Sequence, residues 1–351
     1  MIKHLWYYTF RIYVKIVLFF LLKKKNVFGI ENIPKEGAVL FIGNHQNALV
    51  DALIIPAITK RKIHFLARAG VFKKNIVKRF LSTLNMLPAY RIRDGVENMN
   101  KNYDVFNLCV EILKNKGAIE IFAEGEHHLE RRIIPLKKGF ARIILSTLQK
   151  YPETKIQIVP IGLNYNSHLN FPSKVSVYFG KPILANPHFN THNPDVSFSS
   201  IIKKVSSELK KLTIHIEDEE NYDKVIAKLD NCGVDYLNPI EANKMVSDLQ
   251  NLKPISSVKK SNNWFLPFHL LAKINSIFPI LIWKQLKKGI TDIIFTNTFR
   301  FAIIATLFPI FYLIQSLLVY FLFNFQYALV YLGSSILLGF IYTKTSSIHQ
   351  L

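Results

Sequence analysis

Residues 38–51 read AVLFIGNHQNALVD: an apolar run, Ala38–Ile42, that breaks at Gly43 and delivers Asn44, His45 and then Asp51. The run is apolar at successive positions rather than alternating, as expected of a strand buried on both faces of a largely parallel sheet. Ligand-handling residues in open α/β sheets gather beyond the carboxyl ends of the strands, so the residues after Gly43 are where chemistry is expected.

Working outward, five more short apolar runs read as strands: Ile63–Ala67, Leu87–Tyr90, Ala118–Ala123, Ile156–Ile161 and Val175–Phe179. Helical patterns lie between several of them, over Phe72–Ser82, Asn98–Lys114 and Lys138–Gln149. This alternation predicts an α/β fold, a mostly parallel sheet flanked by helices, over residues 28–190. Three other exits resemble that of the first strand. One delivers Arg91 after Pro88-Ala89-Tyr90, one delivers Glu124 and Gly125 after Phe122-Ala123, and one carries Pro160. Parallel strands would bring an imidazole, a guanidinium and a carboxylate to one rim.

The flanks have a different character. Residues 1–27 contain HLWYYTFRIYVKIVLFFLLKKK, whose uncharged core Ile16–Leu22 is too short to span a bilayer. It reads as a membrane-interface helix with Lys23, Lys24 and Lys25 toward lipid phosphates; the alternative is an amphipathic core helix. No signal peptide is expected, because no small-residue cleavage site follows. Residues 191–260 form a polar extension of helical period, in which the acidic run EDEEN reads as a solvated helix end. In residues 261–351, Trp264–Trp283 is apolar but broken by Pro267, His269, Lys273 and Pro279, a pattern for a re-entrant or interfacial helix. Phe301–Phe323 then runs without a charge, and after a short break so does Tyr327–Tyr342; together they read as a transmembrane helical hairpin. Arg300 and Lys344 flank it, so the positive-inside rule places both ends and the catalytic domain on the cytoplasmic side.

Composition agrees with a lipid-facing protein. Half of the 351 residues are hydrophobic, and 45 Lys and Arg outnumber 24 Asp and Glu. A formal charge of +21 favours anionic partners. The apolar segments point to membrane lipids, and the absence of a nucleic-acid motif points away from nucleic acid. The two cysteines, Cys109 and Cys232, make neither a metal spacing nor a disulfide framework, and neither reads as a nucleophile. EHHLE (126–130) has metal-ligand residue types, but adjacent histidines point apart on regular structure, and no metal site is expected. A carboxylate near an imidazole fixes its tautomer and stabilises the imidazolium. His45 with Asp51 could therefore serve as general base toward an alcohol. No serine or cysteine sits beside them in a nucleophile elbow, which favours direct attack by a substrate hydroxyl.

NHQNALVD resembles the first signature block of the glycerolipid acyltransferase family, the PlsC-like group that contains bacterial lysophosphatidate acyltransferases. Five further segments follow in the family's order: LPAYR ending at Arg91, FAEG (122–125), PLKKG (135–139), IVPIGL with Pro160, and FGKPI (179–183). The resemblance covers residues 28 to 185. It implies His45 and Asp51 as catalytic residues and Arg91 as a ligand of acceptor phosphate, where its planar fork matches two oxygens. It also implies a second cation at Lys137, and Glu124 with Gly125 either holding their loop or meeting acceptor hydroxyls. No cofactor is implied beyond an acyl thioester of coenzyme A or acyl carrier protein as co-substrate. The acceptor would be a small phosphorylated molecule or a lysophospholipid.

The chain departs from the family at several points. Five residues separate His45 from Asp51 where four are usual, a form similar to the fungal-type glycerol-3-phosphate and dihydroxyacetone-phosphate acyltransferases. Ala123 stands in a proline position, Glu126 in a Thr or Ser position, and Asn85 where glycine is common. The competing reading is a non-catalytic lipid-binding scaffold. It would gain if the His45 ring and the Asp51 carboxylate lay too far apart to meet.

Overall fold

In the computed structural model the described residues are 2–90, 101–190, 193–254 and 264–347. The chain starts with helix α1 (Ile2–Leu21) and enters the sheet at once through β1 (Leu22–Phe28). This corrects the expectation of an interface helix through residue 27. Lys23, Lys24 and Lys25 lie on an edge strand, because β1 pairs in parallel register with a later strand, Lys24 opposite Lys174 and Val27 opposite Val177. One stripe of α1, with Tyr7, Val14, Val17, Leu18 and Leu21, is buried, as a helical repeat of three to four residues requires. The opposite stripe exposes Leu5, Ile12 and Ile16, the apolar face that the interface reading needs.

The decisive run forms β2 (Ala38–Gly43), followed by α2 (Ala48–Ile58), β3 (Ile63–Arg68), α3 (Asn75–Thr83) and β4 (Met86–Ala89). Then come α4 (Lys101–Lys114), β5 (Ala118–Ile121), α5 (Gly139–Lys150), β6 (Ile156–Tyr165), β7 (Ser173–Phe179) and β8 (Ile183–Leu184). The sheet order is β1-β7-β6-β2-β5-β3-β4, with β8 beside β6. Pairings are parallel except β6 with β7 and with β8. All six expected strands are present, and the sheet is mostly parallel as read. β2 is buried on both faces. Val39 and Phe41 join the core under α1 and α2, while Ala38, Leu40 and Ile42 join the core under α4 and α5. Asn85, in a glycine position of the family block, has φ 62°, a left-handed conformation that Asn tolerates.

The expected polar extension supplies α6 (Pro194–Leu212), α7 (Tyr222–Asn231) and α8 (Pro239–Ser247). Its first helix is part of the sheet domain, since Phe198, Ile201, Val205 and Leu209 complete the second core. Gly162 permits this approach: a Cβ there would lie 2.0 Å from the Leu212 carbonyl oxygen.

Helices α9 (Leu266–Asn275) and α10 (Ile277–Lys288) are apolar and meet at 80°, the broken geometry expected of that segment. Helices α11 (Thr296–Ala305) and α12 (Leu307–Leu322) lie within one 30-residue apolar stretch, Ile293–Leu322, and α13 (Phe325–Thr345) follows. Both this stretch and the 21-residue α13 are long and apolar enough to cross a membrane. The second arm is longer than its uncharged run because the helix takes in Lys344 and its neighbours. The arm returns to the domain: Lys23 Nζ donates to Ser346 O (2.6 Å), Thr343 Oγ1 to Phe20 O (3.0 Å) and Lys344 Nζ to Leu22 O (2.7 Å). Because Leu313, Leu317, Leu318 and Phe321 on α12 are exposed, the protein is expected to stay with membranes through high-salt and carbonate washing. Full-length protein in the soluble fraction without detergent would refute the hairpin.

Candidate active site

The loop after β2 is fixed on both sides before any catalytic group is placed. Asn44, fully buried, bridges to β6: its Nδ2 donates to Leu163 O (3.0 Å) and its Oδ1 accepts from Leu163 N (2.7 Å). The His45 N–H donates to Glu124 Oε2 (2.9 Å), and His45 O accepts from His128 N (3.1 Å). Glu124, buried beyond β5, thus holds the loop, one of its two expected roles. Gly125 turns with φ 75°, and a Cβ there would meet Lys137 Cγ at 3.0 Å. Lys137 therefore lies across this turn, with its backbone N–H on Ala123 O (2.7 Å).

His45 Nδ1 and Asp51 Oδ2 are 3.1 Å apart. Asp51 sits in the first turn of α2, where backbone N–H groups lack helical partners and favour an anion. Its Oδ2 accepts from Gln46 N (2.9 Å) and Asn47 N (2.6 Å), and its Oδ1 from the Tyr165 hydroxyl (2.7 Å). Between His45 and Asp51 the chain makes a left-handed turn at Ala48, φ 40°. A non-glycine residue there stores strain, a feature that clusters at functional sites. With Nδ1 occupied by Asp51, Nε2 is the nitrogen available to a substrate. The imidazole stacks on Phe122 (4.1 Å between centroids, 9° between planes) and meets the edge of His127 (5.5 Å, 88°).

Burial and the Asp51 carboxylate push the Tyr165 phenol well above its usual range, so it stays protonated and donates. Burial, Arg131 and His128 push His168 well below the usual imidazole range. It is neutral, and its Nε2–H donates to Gln46 Oε1 (3.1 Å). Burial pushes the Cys109 thiol up to about 12, which fits an inert core cysteine.

The site thus unites His45, Asp51, Glu124, Gly125 and Lys137. Arg91 lies outside the described residues. β6 continues to Tyr165, and Pro160 pairs with Ile42, one residue before the end of β2. Its missing N–H is tolerated because antiparallel β8 partners end at Ile158 and β7 partners begin at Ile161. Tyr165 takes the rim position, and its signal was the alternation Ile161, Leu163, Tyr165 beyond the expected strand end. His127 and His128 point apart, toward His45 and Glu124 respectively. Among the described residues no cluster of His, Cys, Asp or Glu suits a metal.

Glu120 on β5 is fully buried, and neither carboxyl oxygen has a hydrogen-bond partner. Burial first, then the Asp51 charge, push it well above the usual carboxyl range, so the folded state holds a proton that the unfolded chain releases. Stability attributable to this group is therefore full below about pH 4.5 and declines as pH rises toward the folded value. Glu120→Gln, which cannot ionise, is expected to melt at least about 2 °C above the wild type near pH 8. It should converge with the wild type near the unfolded value of 4.5. Parallel melting curves at the two pH values would refute a buried neutral Glu120.

The sequence matches known proteins over part of its length. Residues 24–164 match the family described as Acyltransferase. Glycerol-3-phosphate O-acyltransferase 1 of Saccharomyces cerevisiae is 31% identical over 121 residues, 33% of this chain and 16% of that protein. The chloroplastic 1-acyl-sn-glycerol-3-phosphate acyltransferase LPAT1 of Arabidopsis thaliana is 26% identical over 141 residues, 40% of this chain and 36% of that protein. The chain therefore spans about a sixth and about a third of these relatives' lengths. The crystal structure of the 1-acyl-sn-glycerophosphate (LPA) acyltransferase PlsC from Thermotoga maritima aligns at 20% identity with a TM-score of 0.37, covering 53% of this chain and 72% of that one.

Proposed function

We propose, from the match of residues 24–164 to the family described as Acyltransferase and the likeness to glycerol-3-phosphate and 1-acyl-sn-glycerol-3-phosphate acyltransferases, that the chain transfers a fatty acyl group from an acyl thioester to the hydroxyl of a glycerol-phosphate-type acceptor. The observation that carries this is the His45 Nδ1–Asp51 Oδ2 contact of 3.1 Å, with the carboxylate held by Gln46, Asn47 and Tyr165. That contact is what a scaffold with remnant motifs would not need to keep.

Asp51 keeps the proton on Nδ1, so Nε2 can accept one. The acceptor hydroxyl gives its proton to Nε2 as its oxygen bonds to the thioester carbonyl carbon. The tetrahedral intermediate collapses with cleavage of the C–S bond, and the departing thiolate takes the proton from Nε2. In this scheme coenzyme A or acyl carrier protein carries the acyl group, and no further cofactor takes part. Arg91 and Lys137 meet the acceptor phosphate. The domain lies on the cytoplasmic face, because both ends of the hairpin return to a basic domain while the Asn324 turn is uncharged.

Among acceptors, glycerol 3-phosphate or dihydroxyacetone phosphate is favoured over lysophosphatidate. The support is the five-residue His45–Asp51 spacing, which resembles that of the fungal-type proteins. The test is an assay of purified enzyme crossing these three acceptors with both carriers. A preference for lysophosphatidate of tenfold or more in kcat/KM, about 1.4 kcal/mol, would overturn the acceptor choice. Arg91→Lys is expected to cost about 1–3 kcal/mol, mainly as a higher acceptor KM, because an ammonium cannot make the two-pronged contact. An unchanged KM would remove Arg91 from the phosphate site.

A further inference from the structure

Helix α11 lies beyond the residues that match the family, yet it is docked on the catalytic loop. Asn297 is 3% exposed and Arg300 5%. Asn297 Nδ2 donates to Asn47 Oδ1 (3.2 Å) and to His168 O (2.7 Å). Its Oδ1 accepts from Arg300 Nη1 (2.8 Å), which also donates to Leu169 O (2.7 Å). The Arg300 guanidinium lies over Trp283 (5.0 Å from the ring centroid) and Phe171 (5.7 Å). Arg300, read from the sequence as a cytoplasmic flank, is therefore turned inward against the domain.

Asn297 bears on both residues whose N–H groups hold Asp51. It bonds to Asn47 directly. It reaches Gln46 through His168, whose carbonyl it holds and whose ring donates to Gln46 Oε1. On the other flank, Phe295, just before α11, packs edge-on against His127 (5.0 Å), which in turn meets the His45 ring. A segment that only tethered the domain to a membrane would not need a buried amide aimed at this loop.

We propose that Asn297 is a positioning residue for the His45–Asp51 pair, so that the base of the C-terminal membrane module is a working part of the catalytic site. The inference rests on the acyl-transfer reading. The competing role for Asn297 is docking the module on the domain, and one substitution separates the two. Asn297→Asp keeps an acceptor for Arg300, now in an ion pair, and leaves the Arg300–Leu169 bond that docks α11 on the domain. It cannot donate to Asn47 Oδ1 or to His168 O.

The full-length protein would be assayed in detergent with a water-soluble short-chain acyl-CoA, so that membrane attachment does not limit the rate. The acceptor would be the one the wild type prefers. Asn297→Asp should still fold cooperatively while kcat falls on the order of tenfold or more, the effect of a misplaced catalytic group. Acceptor and donor KM should stay within about threefold. Asn297→Ala is the companion variant with no buried charge, and the same kcat loss is expected. Asn324→Ala, which removes the cap of α13 at the hairpin turn, should leave kcat unchanged. Amide exchange across residues 44–53 should quicken in both Asn297 variants and not in Asn324→Ala. That readout stands even if the wild type transfers no acyl group, an outcome that would sink the activity and not the positioning. A kcat within about twofold of wild type in both Asn297 variants would overturn the proposal. So would unchanged exchange, or failure of both variants to fold, which would show that the bonds serve the fold alone.

Discussion

His45→Ala is expected to lower kcat by about 10²–10⁴, the usual contribution of a positioned general base, with little change in stability or membrane attachment. The substitution removes the ring and spares what surrounds it. The loop's bonds at this residue are made by the backbone, N–H to Glu124 and C=O from His128, so alanine preserves them. Asp51 loses one partner and keeps Gln46 N, Asn47 N and the Tyr165 hydroxyl, so no buried charge is orphaned. Phe122 loses its stacked neighbour, a cost of about 1 kcal/mol. Substrate contacts are expected elsewhere, at the phosphate cations, so the deficit should fall on kcat and leave acceptor KM within about threefold. Turnover near that of the wild type would remove His45 from the reaction.

The sheet was legible in the sequence where strand character and order carry information. Ala38–Ile42 is apolar at every position and became the central strand, buried on both faces. The αL turn at Asn85 could be expected because asparagine, after glycine, is among the residues that tolerate it best. Of the site, His45, Asp51, Glu124, Gly125 and Lys137 were readable because they follow strand ends or stand in signature blocks. What escaped depends on contacts made at long sequence separation. Tyr165 lies 114 positions from Asp51, and nothing local marks its hydroxyl as a partner. Lys23–Lys25 looked like an interfacial cluster because a parallel pairing with residues about 150 positions away has no local signature. Arg300 read as the charged flank of a span for the same reason, and nothing local marks Asn297. Glu120 is a carboxyl group within the strand AIEI, where local pattern cannot tell an exposed position from a buried one.

Asp51→Asn tests the other half of the pair, and its expected cost is also about 10²–10⁴ in kcat, the span set by the loss of base function. The described contacts to this carboxylate from Gln46 N, Asn47 N and the Tyr165 hydroxyl are all donated to it, and His45 Nδ1 lies within reach of the same oxygen as the two backbone groups. An asparagine offers one acceptor oxygen and one NH₂. If its oxygen takes the crowded side, the NH₂ faces the Tyr165 hydroxyl, which can turn and accept. The fold then survives at a cost of about 1–3 kcal/mol for the weakened bonds. What does not survive is the negative charge that stabilises the imidazolium formed when His45 takes the acceptor proton. Asp51 acts only through His45, so the two substitutions should not add: His45→Ala/Asp51→Asn is expected to be no slower than His45→Ala alone. Tyr165→Phe removes a donor and keeps the charge, so its loss of kcat should be well below that of Asp51→Asn. Asp51→Asn turning over within about tenfold of the wild type would show that the imidazole needs no anionic partner. A double variant slower than His45→Ala by about tenfold or more would give Asp51 a role of its own in the reaction.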